Sequence, residues 1–413
     1  MKDEKAPLAG TAYDPDYAAP SHVDTGSVED GRVVFPPWRG PADPQDGPTP
    51  APQPPAKRTG FAIVGLGRLS INEILPAFAE CSHARIAALV SGSREKLAAV
   101  GAQYGVVEGS LYTYDRFEEI ADNPDVDVIY IVLPNGMHRE YVIRSAKAGK
   151  HVLCEKPMAT NAADAQVMVD ACDDAGVTLM IAYRIHFQPH NVEARRFVAD
   201  GTYGRLVGIT ANNVQTVNQN GPQQWRHDGD LAGGGSLPDI GLYCLNTAIY
   251  LAGEIPVEVS ADIYSPPGDP KYAEVEETVS FRLKFPSGTI ANCFTSYGAR
   301  DDKYQRLNFA EASVDMPNAY SYRGQDLWVA SKAGDTDQKA QIAISPANQF
   351  AAEIDHMAQC VQSGVTPATP GEMGVRDHVL MEAIYRSARE GRPVATPDAG
   401  ERADKARQPA LHD

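Results

Sequence analysis

Lys156 closes the segment HVLCEK, and Asp239 and Tyr243 stand four residues apart in GGSLPDIGLY. An ammonium, a carboxylate and a phenol are groups able to take, give or hold a proton beside a reacting hydroxyl. A spacing of four puts Asp239 and Tyr243 on one helical face, one turn apart, so both can address the same ligand. The residues before them predict where that helix starts. Gly233, Gly234 and Gly235 allow close backbone approach, Ser236 is a candidate N-cap, and Pro238 suits a first turn, so the helix begins near Leu237. In a purely structural alternative Asp239 complements the helix dipole, Tyr243 packs, and Lys156 is a surface charge at a strand end. Spacing alone does not separate the two.

A second constellation lies upstream. The stretch VGLGRLS follows a predicted strand and opens a predicted helix, so its backbone amides and the positive helix end are placed to meet a dinucleotide pyrophosphate. Gly65, Leu66, Gly67, Arg68 and Leu69 form this turn; the third small position is Ser70 rather than glycine. The next strand ends in LVSGSREK. No acid stands there to receive the ribose hydroxyls of NAD; Ser91, Gly92 and Ser93 offer hydroxyls and space, while Arg94 and Lys96 offer positive charge. This favours NADP, with helix-surface cover as the alternative for the two cations. Tyr114, the segment Leu133, Pro134, Asn135 to His138, and the pair Glu155 and Lys156 follow later strands and complete the expected cofactor edge. A satisfied structural histidine is an equal reading of His138.

Positioning such groups requires a buried parallel sheet. FAIVGLG, RIAALVSG, DVIYIVLP, HVLCEKP and TLMIAYR are short apolar runs that alternate with helical patterns, as in a doubly wound domain over residues 59–184. Beyond it, RLVGITANNVQTV, VEVSADIYS, EETVSFRLKF and GTIANCFTSYG alternate apolar with polar residues, predicting an open-faced, mostly antiparallel sheet in a second, α+β domain over 185–400. Two helices, NQFAAEIDHMAQCVQSG and VRDHVLMEAIYRSAREG, close that domain, and 401–413 is a tail. Residues 1–58 hold 12 of the 31 prolines and few aliphatics, which predicts an extended arm.

The 413 residues are enough for two or three domains, and the formal charge of −17 offers no basic face for nucleic acid. No apolar run approaches the ~18 residues of a membrane span. Six scattered cysteines show no metal or dithiol spacing, and no metal is expected. The opening MKDEKAPLAG has acids and a proline where an export signal has cations and an apolar stretch. A cytoplasmic location is therefore expected, or a periplasmic one if a signal has been removed.

Taken together, FAIVGLG, VLPNGMH, LCEKPMAT, QQWRHDGDLAGGGSLPDIGLYCLN and AIYRSAREGRPV resemble the glucose-fructose oxidoreductase branch of the Gfo/Idh/MocA family, from Phe61 to the end of the last helix. That resemblance implies a Rossmann domain, an open sheet supporting a homodimer or homotetramer, and an arm that embraces a neighbour and helps enclose NADP(H). It also implies a sugar substrate, with Tyr243 as acid/base, Lys156 favouring its phenolate, and Asp239 fixing Lys156 or a sugar hydroxyl. Arg184, Trp225, Arg226 and Tyr297 resemble residues lining the cofactor and sugar pocket. Many relatives carry histidine where this chain has Tyr243. The implied cycle oxidises an aldose to its lactone and reduces a second sugar to an alditol. An ordinary NADP-dependent aldose dehydrogenase with exchangeable cofactor is the nearest alternative; a cofactor-sensing regulator would need neither the lysine nor the tyrosine.

Overall fold

The computed structural model describes residues 27–29, 32–34, 53–217 and 224–396. Most of the expected arm and the whole tail lie outside these residues. Within the arm, β1 (Ser27–Glu29) and β2 (Arg32–Val34) form an antiparallel hairpin.

The first domain is built on β3 (Thr59–Val64), β4 (Ala84–Val90), β5 (Leu111–Tyr112), β6 (Val128–Ile131), β7 (His151–Glu155) and β8 (Leu179–Ala182), all parallel. Their order is β5-β4-β3-β6-β7-β8, so the direction of winding reverses at β3. That reversal opens a crevice at the carboxyl ends of the strands. The strands are mainly apolar because both faces are covered, with polar residues such as Thr59, Arg85, His151 and Glu155 at or near their ends. Ala62 and Val64 enter one core, with Val142 and Met168 from the helices Asn135–Lys147 and Ala162–Ala175. Phe61 and Ile63 enter the other, with Leu75, Phe350, Ile354 and Met357. The helix Gln349–Ser363, grouped by sequence with the second domain, thus packs on the first domain's sheet. Its apolar spacing shows a buried face but not the sheet that the face meets.

The second domain is a nine-stranded sheet of β9 (Leu206–Thr216), β10 (Glu258–Tyr264), β11 (Thr278–Lys284), β12 (Ile290–Ser296), β13 (Gly298–Phe309), β14 (Ala312–Met316), β15 (Trp328–Ala333), β16 (Thr336–Gln341) and β17 (Val394–Ala395). The order is β16-β15-β14-β13-β9-β12-β11-β10-β17, antiparallel except where β12 runs parallel to β9. In β11 buried and exposed residues alternate, as a sheet packed on one side requires. The helix Leu242–Ala252 lies on the packed side with Leu245, Ala248 and Ile249 buried. Helix Gly371–Glu390 adds a tie to β10, where Ser387 accepts from the Ala261 amide at 3.2 Å. All six cysteines are buried. No helix among the described residues is long and apolar enough to cross a membrane.

Candidate active site

Five loops meet at the carboxyl edge of the parallel sheet. The turn after β3 carries Gly65 at φ +98°, where a Cβ would lie 2.3 Å from the Val132 carbonyl oxygen. Only glycine fits there. Gly67 is the contrary case: it is exposed, and a Cβ on it would meet nothing within 4 Å. Backbone at Gly67 is therefore open to a ligand. Leu66 is buried, Arg68 is exposed, and Leu69 leads into the helical turn Ser70–Ile74. Ser70 fills the third small position by donating to the Gly65 carbonyl at 2.5 Å.

After β4, Ser93 caps the helix Arg94–Tyr104, its hydroxyl accepting from the Lys96 amide at 3.2 Å, while the Ser91 hydroxyl accepts from the Ser93 amide at 3.3 Å. Both serines thus serve the local backbone. Arg94 and Lys96 remain exposed, and Tyr114 lies against the open Cα face of Gly92. An open glycine amide at a helical start, a flat aromatic wall and two exposed cations fit a dinucleotide.

After β6, Pro134 precedes the helix Asn135–Lys147, and Asn135 donates to the Ala232 carbonyl at 2.8 Å, tying this loop to the glycine run. Leu133 is partly buried, and its carbonyl lies 2.8 Å from Nε2 of His138, whose Nδ1 lies 2.9 Å from the Pro157 carbonyl. His138 is fully enclosed. Its expected place among the cofactor contacts is corrected accordingly: the enclosed ring lies between the Leu133 and Pro157 carbonyls, donating to one of them as a neutral imidazole, and bridges one edge loop to another.

The glycine run answers to packing on three sides. A Cβ on Gly233 would meet Thr160, one on Gly234 would meet the Tyr385 hydroxyl, and one on Gly235 would lie 1.8 Å from the Glu276 carbonyl. Ser236 does not cap the helix. Its hydroxyl has no hydrogen-bond partner, and the Glu276 carboxylate accepts from the Gly235 and Leu237 amides, each at 2.8 Å. A charged acceptor satisfies two amides where a hydroxyl satisfies one, and it arrives from a loop 39 residues away that local sequence does not advertise. The helix starts at Leu237 as expected, but its first turn is wide, with the Leu242 amide reaching the Leu237 carbonyl. Such a π-turn rotates neighbouring side chains relative to ordinary helical spacing.

Asp239 and Tyr243 accordingly have different partners. Asp239 accepts from Arg226 Nε at 3.0 Å and Tyr297 Oη at 2.8 Å through Oδ2, and faces Lys156 Nζ at 3.4 Å through Oδ1. Burial pushes its acidity down, but Arg226, Lys156 and the Tyr297 hydroxyl outweigh burial and hold its pKa at about 2. Tyr297 is buried and supports Asp239, and burial followed by the Asp239 charge holds its phenol protonated. Trp225 stacks under Arg226, 4.5 Å from ring centre to guanidinium carbon.

The Tyr243 hydroxyl accepts from Arg184 Nε at 3.2 Å. Lys156 lies instead over the ring face, 4.6 Å from its centre, and donates to the Asp239 carbonyl at 2.7 Å. Lys156 is near the phenol, as expected, but over the ring; the hydrogen bond to the phenol oxygen comes from Arg184. Glu155 is buried, accepting from Tyr130 Oη at 2.9 Å and from the Lys156 amide at 3.2 Å. The site therefore gathers Lys156, Arg184, Asp239 and Tyr243 with Arg226 and Tyr297. A cavity of about 430 Å³ beside the glycine run, lined by Thr160, Glu274, Glu276 and Tyr385, contains none of them. The candidate site is thus marked by its charge geometry and not by that hollow.

Sequence comparison agrees with this architecture. Residues 59–183 match the oxidoreductase family with an NAD-binding Rossmann fold, and residues 191–310 match the GFO/IDH/MocA C-terminal domain. The chain is 32% identical to the NADP(+) D-xylose 1-dehydrogenase of Haloarcula marismortui over 331 residues, 79% of this chain and 90% of that one. The chain belongs to the Gfo/Idh/MocA oxidoreductase family. Among solved Gfo/Idh/MocA-like structures, aldose-aldose oxidoreductase from Caulobacter crescentus in complex with glycerol is 45% identical, with a TM-score of 0.78 over 82% of this chain and all of that one. Levoglucosan dehydrogenase with NADH and levoglucosan, 22% identical at a TM-score of 0.74 over 82% of this chain and all of that one, shares the fold. Glu276 and Gln349, which hold this Gfo/Idh/MocA site from behind, carry no motif that sequence reading can single out.

Proposed function

We propose that the protein is an NADP-dependent sugar oxidoreductase. It oxidises a cyclic aldose at C1 to the lactone and, with NADP retained between half-reactions, reduces a second sugar to an alditol. The observation that carries this reading is the Tyr243 hydroxyl at the carboxyl edge, held by Arg184 and flanked by Lys156. Bound at the Gly65–Ser70 turn, NADP supplies the two-electron acceptor for the first sugar and the donor for the second.

Tyr243 takes the proton from the C1 hydroxyl as that carbon is oxidised, and returns one to the carbonyl oxygen of the second sugar. Arg184, donating to the phenol oxygen, holds that oxygen in one position for both proton transfers. Asp239 keeps Lys156 and Arg226 in place, and Arg94 with Lys96 meets the 2′-phosphate. Similarity to an aldose-aldose oxidoreductase and to an NADP(+) xylose dehydrogenase supports this substrate class. The second of these also favours the simpler reading, a dehydrogenase that exchanges its cofactor. A homodimer or homotetramer through the open sheet, where Phe294 is exposed, belongs to the same proposal and is read by sedimentation.

Desalted protein separates the two readings. Near-ultraviolet absorbance of retained NADPH, bleached by an acceptor sugar without added cofactor, is expected; protein free of nucleotide, turning over only with added NADP, leaves the exchanging dehydrogenase. Tyr243→Phe should abolish turnover with cofactor still bound, and unchanged turnover removes the acid/base assignment.

A further inference from the structure

Arg184 reaches the Tyr243 hydroxyl because its other nitrogens are held. Nη2 donates to the Tyr320 carbonyl at 2.7 Å, and Nη1 donates to Gln349 Oε1 at 2.6 Å, with a longer contact of 3.4 Å to the Ser321 carbonyl. The guanidinium carbon lies 4.7 Å from the centre of the Tyr243 ring and 4.6 Å from that of Tyr322. A guanidinium is a rigid planar fork, so fixing two nitrogens sets the direction of the third.

Gln349 supplies the shorter of the Nη1 bonds from a remote element, as the first residue of the helix Gln349–Ser363. Its side-chain nitrogen donates to the Ser321 carbonyl at 3.0 Å and the Tyr322 carbonyl at 2.9 Å. One amide, 1% exposed, thus holds the arginine and also the loop whose Tyr320 carbonyl holds Nη2. Its chemistry is suited to that place. Burial pushes the nearby Glu155 and Glu353 carboxyls up, toward the neutral form. A neutral amide likewise offers an acceptor without adding a negative charge, leaving more of the guanidinium's charge for the phenol oxygen.

We propose that Gln349 is a positioning residue for the sugar oxidation, aiming Arg184 Nε at the oxygen of Tyr243. The inference rests on Tyr243 being the acid/base. Lys156 stands on the ring face instead, and the path from Gln349 to the phenol oxygen runs through Arg184.

Gln349→Met keeps the volume and removes the acceptor. It is expected to lower kcat roughly ten-fold with the aldose KM and the NADP Kd within about two-fold, the signature of a contact used in the transition state. Introduced into Arg184→Lys, the same change is expected to add less than about two-fold, because both act through one contact. Equal losses in kcat, KM and cofactor affinity, with full additivity on Arg184→Lys, overturn the proposal and leave Gln349 as a loop staple. If the methionine variant does not fold, Gln349→Asn serves, because its shorter side chain draws the acceptor away from Arg184: a similar fall in kcat supports the role, and wild-type kcat overturns it. Tyr243→Phe is measured alongside. Retained turnover there sinks the acid/base reading itself, whereas an inactive Tyr243→Phe with additive Gln349 variants sinks only the present inference.

Discussion

Lys156 stands over the Tyr243 ring, 4.6 Å from its centre, while its hydrogen bond runs to the Asp239 carbonyl at 2.7 Å. The ammonium is therefore a neighbour of the phenol and a ligand of the helix that carries it. Replacing it with methionine removes a cation from the ring face but leaves Asp239 with Arg226 and Tyr297. We expect Lys156→Met to fold, with kcat lower by on the order of 10²-fold or more, the range of an acid/base contribution. Steady-state kinetics beside a thermal melt checks both halves, and near-normal kcat refutes the role.

Asp239 is the opposite case, because its loss strands two cations. Removing one member of a buried ion pair typically costs about 3–5 kcal/mol; with its side chain 15% exposed, the lower end applies. Asp239→Asn should lower urea-unfolding stability by that order as well as activity. The sign of its acid dependence follows from the depressed pKa. A carboxyl held at about 2 in the fold stabilises it fully above its unfolded value near ~3.9, and that share is lost as pH falls between the two. Equal stability of the two proteins at neutral pH contradicts the account.

How far the sequence carried depended on whether a residue's partner was local. The parallel sheet was legible because strands buried on both faces, such as β8, have no polar residue to place. The wide strand β13 was not, since GARDDKYQRLNF spends most of its length polar and partly exposed, and its pairing with β9 is what makes it a strand. At the site, type and spacing marked Lys156, Asp239 and Tyr243 as candidates, and the family resemblance gave them roles. Their partners were not legible: Glu276 replaces Ser236 as the cap, and Arg184 rather than Lys156 bonds the phenol, from 59 residues away. Such pairings arise from tertiary approach, which no local pattern encodes.

Cofactor choice can be tested away from the chemistry. Arg94 and Lys96 are exposed at the end of β4, and the serines beside them are engaged with backbone. Discrimination by charge should then fall on the two cations. Arg94→Ala with Lys96→Ala is expected to raise the NADP Kd about ten-fold or more, with the NAD Kd within about two-fold, each lost charge-assisted bond being worth ~1 kcal/mol or more. Titration calorimetry on stripped protein reads this directly. Parallel weakening of both nucleotides shows that the cations only cover the helix.

Acid should weaken the segment behind Lys156 before it touches Asp239. Nε2 of His378 accepts the Ala159 amide at 3.0 Å, three residues past the lysine, so that nitrogen must be unprotonated. Burial, with His138 adding to it, lowers the His378 pKa to about 3, and burial lowers that of His186 to about 4. In the unfolded chain both titrate near ~6.5. Between those limits the unfolded state binds protons that the fold refuses, so stability is full above ~6.5 and declines as pH falls toward the folded values, with a slope of about 1.4 kcal/mol per pH unit for each histidine. Urea unfolding from pH 7 to 4 should show that decline. In His378→Gln, whose side-chain oxygen can still accept from Ala159, the slope should fall by about one proton. An unchanged slope in that variant assigns the acid sensitivity elsewhere.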